Sequence, residues 1–485
     1  MFVPAGEWLP DQVELGNPGA TVAKNVIPWV GNSYKSFPAL TALSSAIPTR
    51  AQGSAYARNK DGNVYQFVGT DTKLLQLFGT SFSDVTRTSG AYTTGVDEWW
   101  EFVQWGDTML ATNYGDAVQT ISLGSANFTA LAGSPPKARH IAVVRDFVVL
   151  GNVNDGTAYP SRVQWSGINN NELWTPSLTT LSDYQDIQDG GWVQKIVGGE
   201  FGLVFMDRSI HRMTFSGYPT IFQFDEIEKA RGAYTPQSVI RFGSVCFYIS
   251  DDGFYATAGA GESVPIGDGK VDRYFFNDLE TFYAYRINAA IDPINKLVLW
   301  AYPGSGSTNG LCNKIIIYNI VRRKFSFIEV DTEILPRFAS DGYSLEDLDA
   351  INSSIDALTP TLDSRVWTGG DQVLSAFDSS HRLGTFSGTA MDATVETAEG
   401  QHFPGFRSHV TEVRPVVDGN SATVTVGSRN LLSASESFGS AVSQNVSGTC
   451  PVRSNARYHR YRVSTTGAFN FIQGVEVKVT PGDER

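Results

Sequence analysis

From about residue 50 onward, short runs of alternating apolar and polar residues are broken by turns rich in Asp, Asn and Gly. Alternation with period two over a few residues marks half-buried strands, and turn residues that accept left-handed backbone join such strands into hairpins. The pattern predicts hairpins over 56–67, turning at Lys60-Asp61-Gly62-Asn63, over 99–112 at Gly106-Asp107, and over 140–152 at Arg145-Asp146. Further hairpins follow over 193–213 at Gly198-Gly199 and Asp207-Arg208, and over 242–256 at Asp251-Asp252-Gly253. The series continues over 289–300 at Asp292-Pro293-Ile294-Asn295, 315–328 at Val321-Arg322-Arg323, and 363–377 at Gly369-Gly370. Successive hairpins recur every ~30–50 residues, the span of one four-stranded propeller blade. Seven or eight such units fit, and the rhythm favours a β-propeller over a pair of stacked sandwiches.

Two regions depart from this texture. Residues 1–48 carry Pro4, Pro10, Pro18, Pro28, Pro38 and Pro48 beside the apolar anchors Trp8, Val26, Ile27, Trp29 and Phe37. Prolines at this density exclude long helices and interrupt ladders, which predicts an extended arm lying on the rest of the fold or on a neighbouring subunit. Alternating strands over 390–397, 422–426, 458–463 and 474–479 mark a second texture near the end. Within 341–358 the sequence allows a short helix capped by Ser344. The expected class is therefore all-β: an extended N-terminal arm (1–48), a β-propeller-like central domain with insertions (49–383) and a C-terminal β-sandwich-like domain (384–485).

The 485 residues, 41% hydrophobic and 18% charged, are those of a folded chain. A net charge of −13 argues against tight binding to phosphate backbones, which needs clustered Lys and Arg. An acidic wall instead suits a conduit through which DNA slides. The balance reverses over 401–485, where nine Lys and Arg face six Asp and Glu, so exposed arginines there could dock on an acidic partner or simply be solvated. Cys246, Cys312 and Cys450 are far apart and odd in number, which predicts buried free thiols rather than a disulfide framework or metal knuckle. No apolar run approaches the ~20 residues of a membrane-spanning helix, so no membrane anchor is expected. The opening Met1–Glu7 has neither the basic nor the apolar region of a signal peptide.

The usual catalytic patterns are missing. There is no GxSxG elbow and no HExxH, and the six histidines (His140, His211, His381, His402, His409 and His459) lack ligand spacing. The glycines of 259–270 end in Gly269-Lys270-Val271, which is not a phosphate-binding loop. Ser250-Asp251-Asp252-Gly253-Phe254 is similar to the Asp-box turn of sialidases but has the wrong spacing. No catalytic, cofactor-binding or metal-binding residue is assigned, and no cofactor is expected.

One resemblance adds to this reading. Val163-Gln164-Trp165-Ser166-Gly167-Ile168-Asn169 with Trp174, Gly198-Gly199-Glu200-Phe201-Gly202 and Arg208-Ser209-Ile210-His211-Arg212-Met213 belong to it. So do Ile221-Phe222-Gln223-Phe224, Ser250–Tyr255, Pro265-Ile266-Gly267-Asp268-Gly269-Lys270-Val271-Asp272 and Ala289-Ala290-Ile291-Asp292-Pro293. Together they resemble the packaged DNA stabilisation proteins of short-tailed bacteriophages, the tail hub or nozzle chain, most strongly over 140–300. The resemblance implies a non-enzymatic virion tail protein with a propeller-like domain, assembled in host cytoplasm. It implies a closed ring, typically a hexamer, below the head-to-tail adaptor on the portal. Tail spikes or fibres would attach at the periphery, and passing double-stranded DNA would be retained without specific binding. The alternatives are a β-propeller that binds or cleaves glycans and a cellular propeller scaffold that binds peptides.

Overall fold

The computed structural model describes residues 1–339, 354, 372–419 and 422–482. Strands pair antiparallel in chain order into seven four-stranded units. Blade 1 runs from Ser54–Arg58 to Ser81–Asp84, blade 2 from Glu101–Trp105 to Thr129–Ala130, and blade 3 from Lys137–Val144 to Asp183–Asp186. Blade 4 runs from Val193–Val197 to Phe222–Glu228, blade 5 from Ile240–Phe242 to Val264–Pro265, and blade 6 from Asn288–Asp292 to Lys324–Thr332. Blade 7 takes three strands, Arg337–Ala339, Gln372–Phe377 and Arg382–Ala390, from late in the chain, and its fourth, Pro38–Ala46, from the start. The first strands of all seven blades face one central bore, so the molecule is a β-propeller and not two stacked sandwiches.

The hairpins form where the turn chemistry places them. Gly106 and Arg145, the turn residues of blades 2 and 3, both take left-handed backbone (φ 57° and 49°), the conformation that lets a two-residue turn match strand twist. Between blades, apolar side chains from facing sheets interdigitate, one cluster to each seam. Trp100, Phe67 and Phe128 fill the seam of blades 1 and 2, and Trp165, Met213 and Phe222 that of blades 3 and 4. Phe254 at the seam of blades 5 and 6 lies edge-on to Trp300 at 5.0 Å. Burying one such ring stabilises the seam by about 1.5–3 kcal/mol. The last seam closes when Val68 and Leu75 of blade 1 meet Phe338 and Phe377 of blade 7. Its outer strand holds register with Thr385 opposite Thr41, and Gly384 is required there because a Cβ would sit 2.6 Å from the Thr41 carbonyl oxygen.

The N-terminal region differs from the expected arm, for it is woven into both domains. Phe2–Pro4 and Tyr34–Ser36 pair with Phe469–Pro481, Val26–Pro28 pairs with Tyr34–Ser36, and Ala20–Lys24 pairs with Ala393–Thr397. The prolines sit at strand ends or beside short strands, where no ladder bond is lost. Ala20–Lys24 also touches blade 6 in parallel at Lys24 and Phe327, which fuses that blade and one sandwich sheet into ten continuous strands. The boundaries shift accordingly: 38–46 belongs to the propeller rather than the arm, and Arg382–Ala390 carries the propeller past 383. The sandwich proper packs Val410, Val413, Val424, Val463 and Val475 between its two sheets. The helix expected within 341–358 and the Gly369-Gly370 turn lie outside the described residues. Among the described residues no helix is long and apolar enough to cross a membrane.

Candidate functional site: the propeller bore

The bore is a cavity of about 720 Å³ bounded by the first strands of the seven blades. Spread over a five-residue strand, ~17 Å long, this volume gives an opening on the order of 10 Å. The major groove of B-DNA alone is ~12 Å wide, so a duplex does not thread this bore.

Its chemistry centres on Glu101 at the head of the blade 2 strand. The carboxylate is buried and accepts hydrogen bonds from Lys195 Nζ (2.7 Å) and Gln237 Nε2 (3.0 Å), with His140 Nδ1 3.0 Å away. The other ring nitrogen of His140 faces the Val193 carbonyl at 3.1 Å. Residues from blades 2, 3 and 4 and the segment entering blade 5 thus meet on one carboxylate. Burial pushes the Glu101 carboxyl up, but Lys195 and then His140 outweigh it and hold the group at about 2.

Two further cations line the bore. Arg241 is pinned by the Gly243 and Gly198 carbonyls, at 2.8 and 2.5 Å. Arg337, on the first strand of blade 7, is exposed to the lumen while protein rings it. Burial lowers the basicity of its guanidinium, which Tyr56 and Glu101 partly restore. No hydrogen bond or ion pair engages that side chain among the described residues, although the backbone carbonyl of Arg337 is held by Gln66 Nε2 at 3.1 Å. With Glu101 the one carboxylate among the described lining residues, the bore is positively charged inside an acidic chain. The acidic wall expected from net charge does not extend to it. A second cavity of about 200 Å³ adjoins the mouth at Trp99, Glu101 and Gln237. There Arg139 forks onto Glu98 and lies over Tyr114 at 4.3 Å.

Most of the sequence motifs fall on framework, although Gly198, Ala289, Ile291 and Pro293 line the bore. Trp165 and Trp174 of the Val163 motif are buried, and their indole N–H groups donate to the Leu181 and Asn171 carbonyls. Asp252 of the Ser250 motif accepts from Arg231 and from the Tyr255 hydroxyl. The Pro265–Asp272 stretch is a cradle for the N-terminal segment: Lys270 Nζ reaches Glu7 at 2.8 Å and Gln12 donates to the Gly269 carbonyl. Asp11 then accepts from the Arg273 and Tyr274 amides at 2.8 and 2.7 Å, capping the helix Asp272–Asp278. The three cysteines are free and buried. Of the C-terminal arginines, Arg429, Arg460 and Arg462 are engaged with Glu14, Glu396, Glu399 and Glu436, and Arg429 and Arg460 lock the N-terminal segment to the sandwich through Glu14 instead of presenting a docking face.

No family model and no curated protein matches the chain. Solved structures similar to it include the computationally designed Ika8 protein, 9% identical over 72% of this chain and 98% of that one, with a TM-score of 0.37. The WD40 domain of Pan2 from Neurospora crassa is 7% identical over 71% and 95%, with a TM-score of 0.41. BamB from Moraxella catarrhalis is 9% identical over 74% and 92%, with a TM-score of 0.39. At these values the likenesses carry no functional argument, and the propeller rests on its own strand pairing. Sequence reading missed the Glu101 cluster because its members lie 39, 94 and 136 positions apart and meet only when blades close on an axis.

Proposed function

We propose that this chain is a structural protein of a short phage tail, a nozzle subunit that closes into a ring, typically of six, below the head-to-tail adaptor. Spikes or fibres would hold its periphery. The observation that carries the reading is where the resembling residues fall. Most occupy the seams and turns of blades 3–6 and the cradle that fixes the N-terminal segment, and those that line the bore, Gly198, Ala289, Ile291 and Pro293, carry no reactive side chain, so they maintain a shape instead of converging on a reactive centre. In this reading DNA passes through the opening between copies, because the propeller bore is too narrow. A heterologous contact repeated around an axis builds such a ring. The long turn of blade 3, with Ile168, Leu173 and Leu178 exposed, supplies an apolar surface for it. Glycan hydrolysis in the bore is disfavoured: it takes two carboxylates ~5–9.5 Å apart, and Glu101 is already engaged by its neighbours. Gold-labelled antibody against the chain, imaged on intact source particles, tests the proposal. Label at a single tail vertex supports it, whereas tailed particles without vertex label overturn it.

A further inference from the structure

The charge inside the bore goes beyond what a structural tail subunit requires. Among the described residues four charged side chains line it, and three of them are satisfied by protein: Glu101 and Lys195 by each other, Arg241 by two carbonyls. Arg337 is left with no partner among the described residues, in a lumen whose remaining polar lining includes Tyr56, Gln104 and Gln372. A planar guanidinium takes two oxygens of one carboxylate or phosphate at once, and such charge-assisted pairs are stronger inside protein than in bulk water. Among the described residues, this cation, ringed by protein but open to the lumen, is left with a fork that a solute can fill.

We propose that the propeller bore is a binding site for a small oxyanion, a carboxylate- or phosphate-bearing solute, anchored by Arg337. The cavity of about 720 Å³ has room for a compact polyanion, and its width excludes duplex DNA. Glu101, on blade 2 just beyond blade 1 from Arg337, stays ionised but is held by Lys195, His140 and Gln237. This inference stands independently of whether the chain sits in a tail.

Titration calorimetry of the full chain with inorganic phosphate and with citrate, at ionic strength fixed by sodium chloride, tests it. Saturable binding of at least one anion is expected, and which one binds separates the phosphate source from the carboxylate source. Arg337→Gln should weaken that binding about tenfold or more, the loss of one charged hydrogen-bonded pair. Lys229→Gln makes the same charge change at an exposed site on blade 4 and should leave it unchanged. If Arg337→Gln does not fold, Arg337→Lys keeps the charge without the fork and should bind several-fold more weakly. Wild-type protein without saturable binding of either anion overturns the site. So does equal affinity in the folded Arg337 variant, or an equal loss in Lys229→Gln.

Discussion

At the scale of single residues, the molecule places its polar side chains where removing one strands another. Glu101→Gln would leave the Lys195 ammonium, half-shielded in the bore, without its carboxylate. Breaking such a pair destabilises by about 3 kcal/mol or more, which urea unfolding at neutral pH should show. His459 makes a different statement. Burial and then the stacked His402 press it down to about 4 from its ordinary 6.5, and its Nδ1 has no partner among the described residues. The fold therefore binds fewer protons at this ring than the unfolded chain between pH 6.5 and 4. Its contribution is full above 6.5 and is lost as pH falls, by about 3 kcal/mol. Asp272 works in the opposite direction. Burial, reinforced by Asp11, Asp268 and Asp252, raises it to about 7 against the Phe254 hydrogen bond, so the neutral acid suits the fold and stability is lost as pH rises from 3.8 through 7. Unfolding midpoints measured from pH 4 to 8 should steepen downward on the acid side in Asp272→Asn and flatten there in His459→Asn. Unchanged curves in both would remove these two groups from the pH response. None of this was legible in the sequence, where a lone histidine or a turn aspartate gives no sign of its eventual neighbours.

At the scale of elements, local chemistry and distant pairing divide the result between them. The hairpins at Gly106-Asp107, Arg145-Asp146 and Val321-Arg322-Arg323 were legible because a turn and its flanking alternation lie within a dozen residues. The N-terminal strands were not. Ala20–Lys24 reads as an irregular Pro-flanked run because the partner that makes it a strand, Ala393–Thr397, lies more than 370 positions away. Its docking depends on two residues from opposite chemical classes. Trp8 is fully buried against Tyr274 and Phe327, and Trp8→Ala should cost about 3–5 kcal/mol, as large aromatic truncations do. Asp11→Ala removes a cap and should cost about 1 kcal/mol. Hydrogen exchange should show the amides of Arg273 and Tyr274 opening in the second variant while blades 1–3 keep their protection.

At the scale of the whole molecule, the class, all-β with a propeller, was readable from rhythm, whereas blade number and closure were not. Seven blades emerge only once Pro38–Ala46 is seen to complete the unit begun at Arg337. Deleting residues 1–46 should therefore open the ring and abolish cooperative melting rather than trim a tail; a truncated chain that melts cooperatively near the wild-type temperature would contradict that closure. The proposed ring of copies carries its own test. Leu178 is 62% exposed on the blade 3 turn, so Leu178→Asp should leave the melting temperature nearly unchanged while sedimentation shifts from the assembled species to the single chain. Most residues quoted for the likeness over 140–300 hold turns and seams, while Gly198, Ala289, Ile291 and Pro293 line the bore; the bore was invisible in the sequence because its lining is spread over all seven blades.

Closure by a strand from each end also sets an order of events at the ribosome. Pro38–Ala46 emerges early, yet the strand it pairs with, Arg382–Ala390, is made some 340 residues later. At ~5–20 residues per second this is a wait of roughly 17–70 s. Throughout that interval six blades can stack as they appear, while the first segment stays unpaired with its backbone open to other nascent chains. The prolines at 28, 38 and 48, at the ends of that waiting stretch and before it, keep it a poorer template for misplaced pairing. The same residues that made the region look like a loose arm thus guard it until its partner has been synthesised.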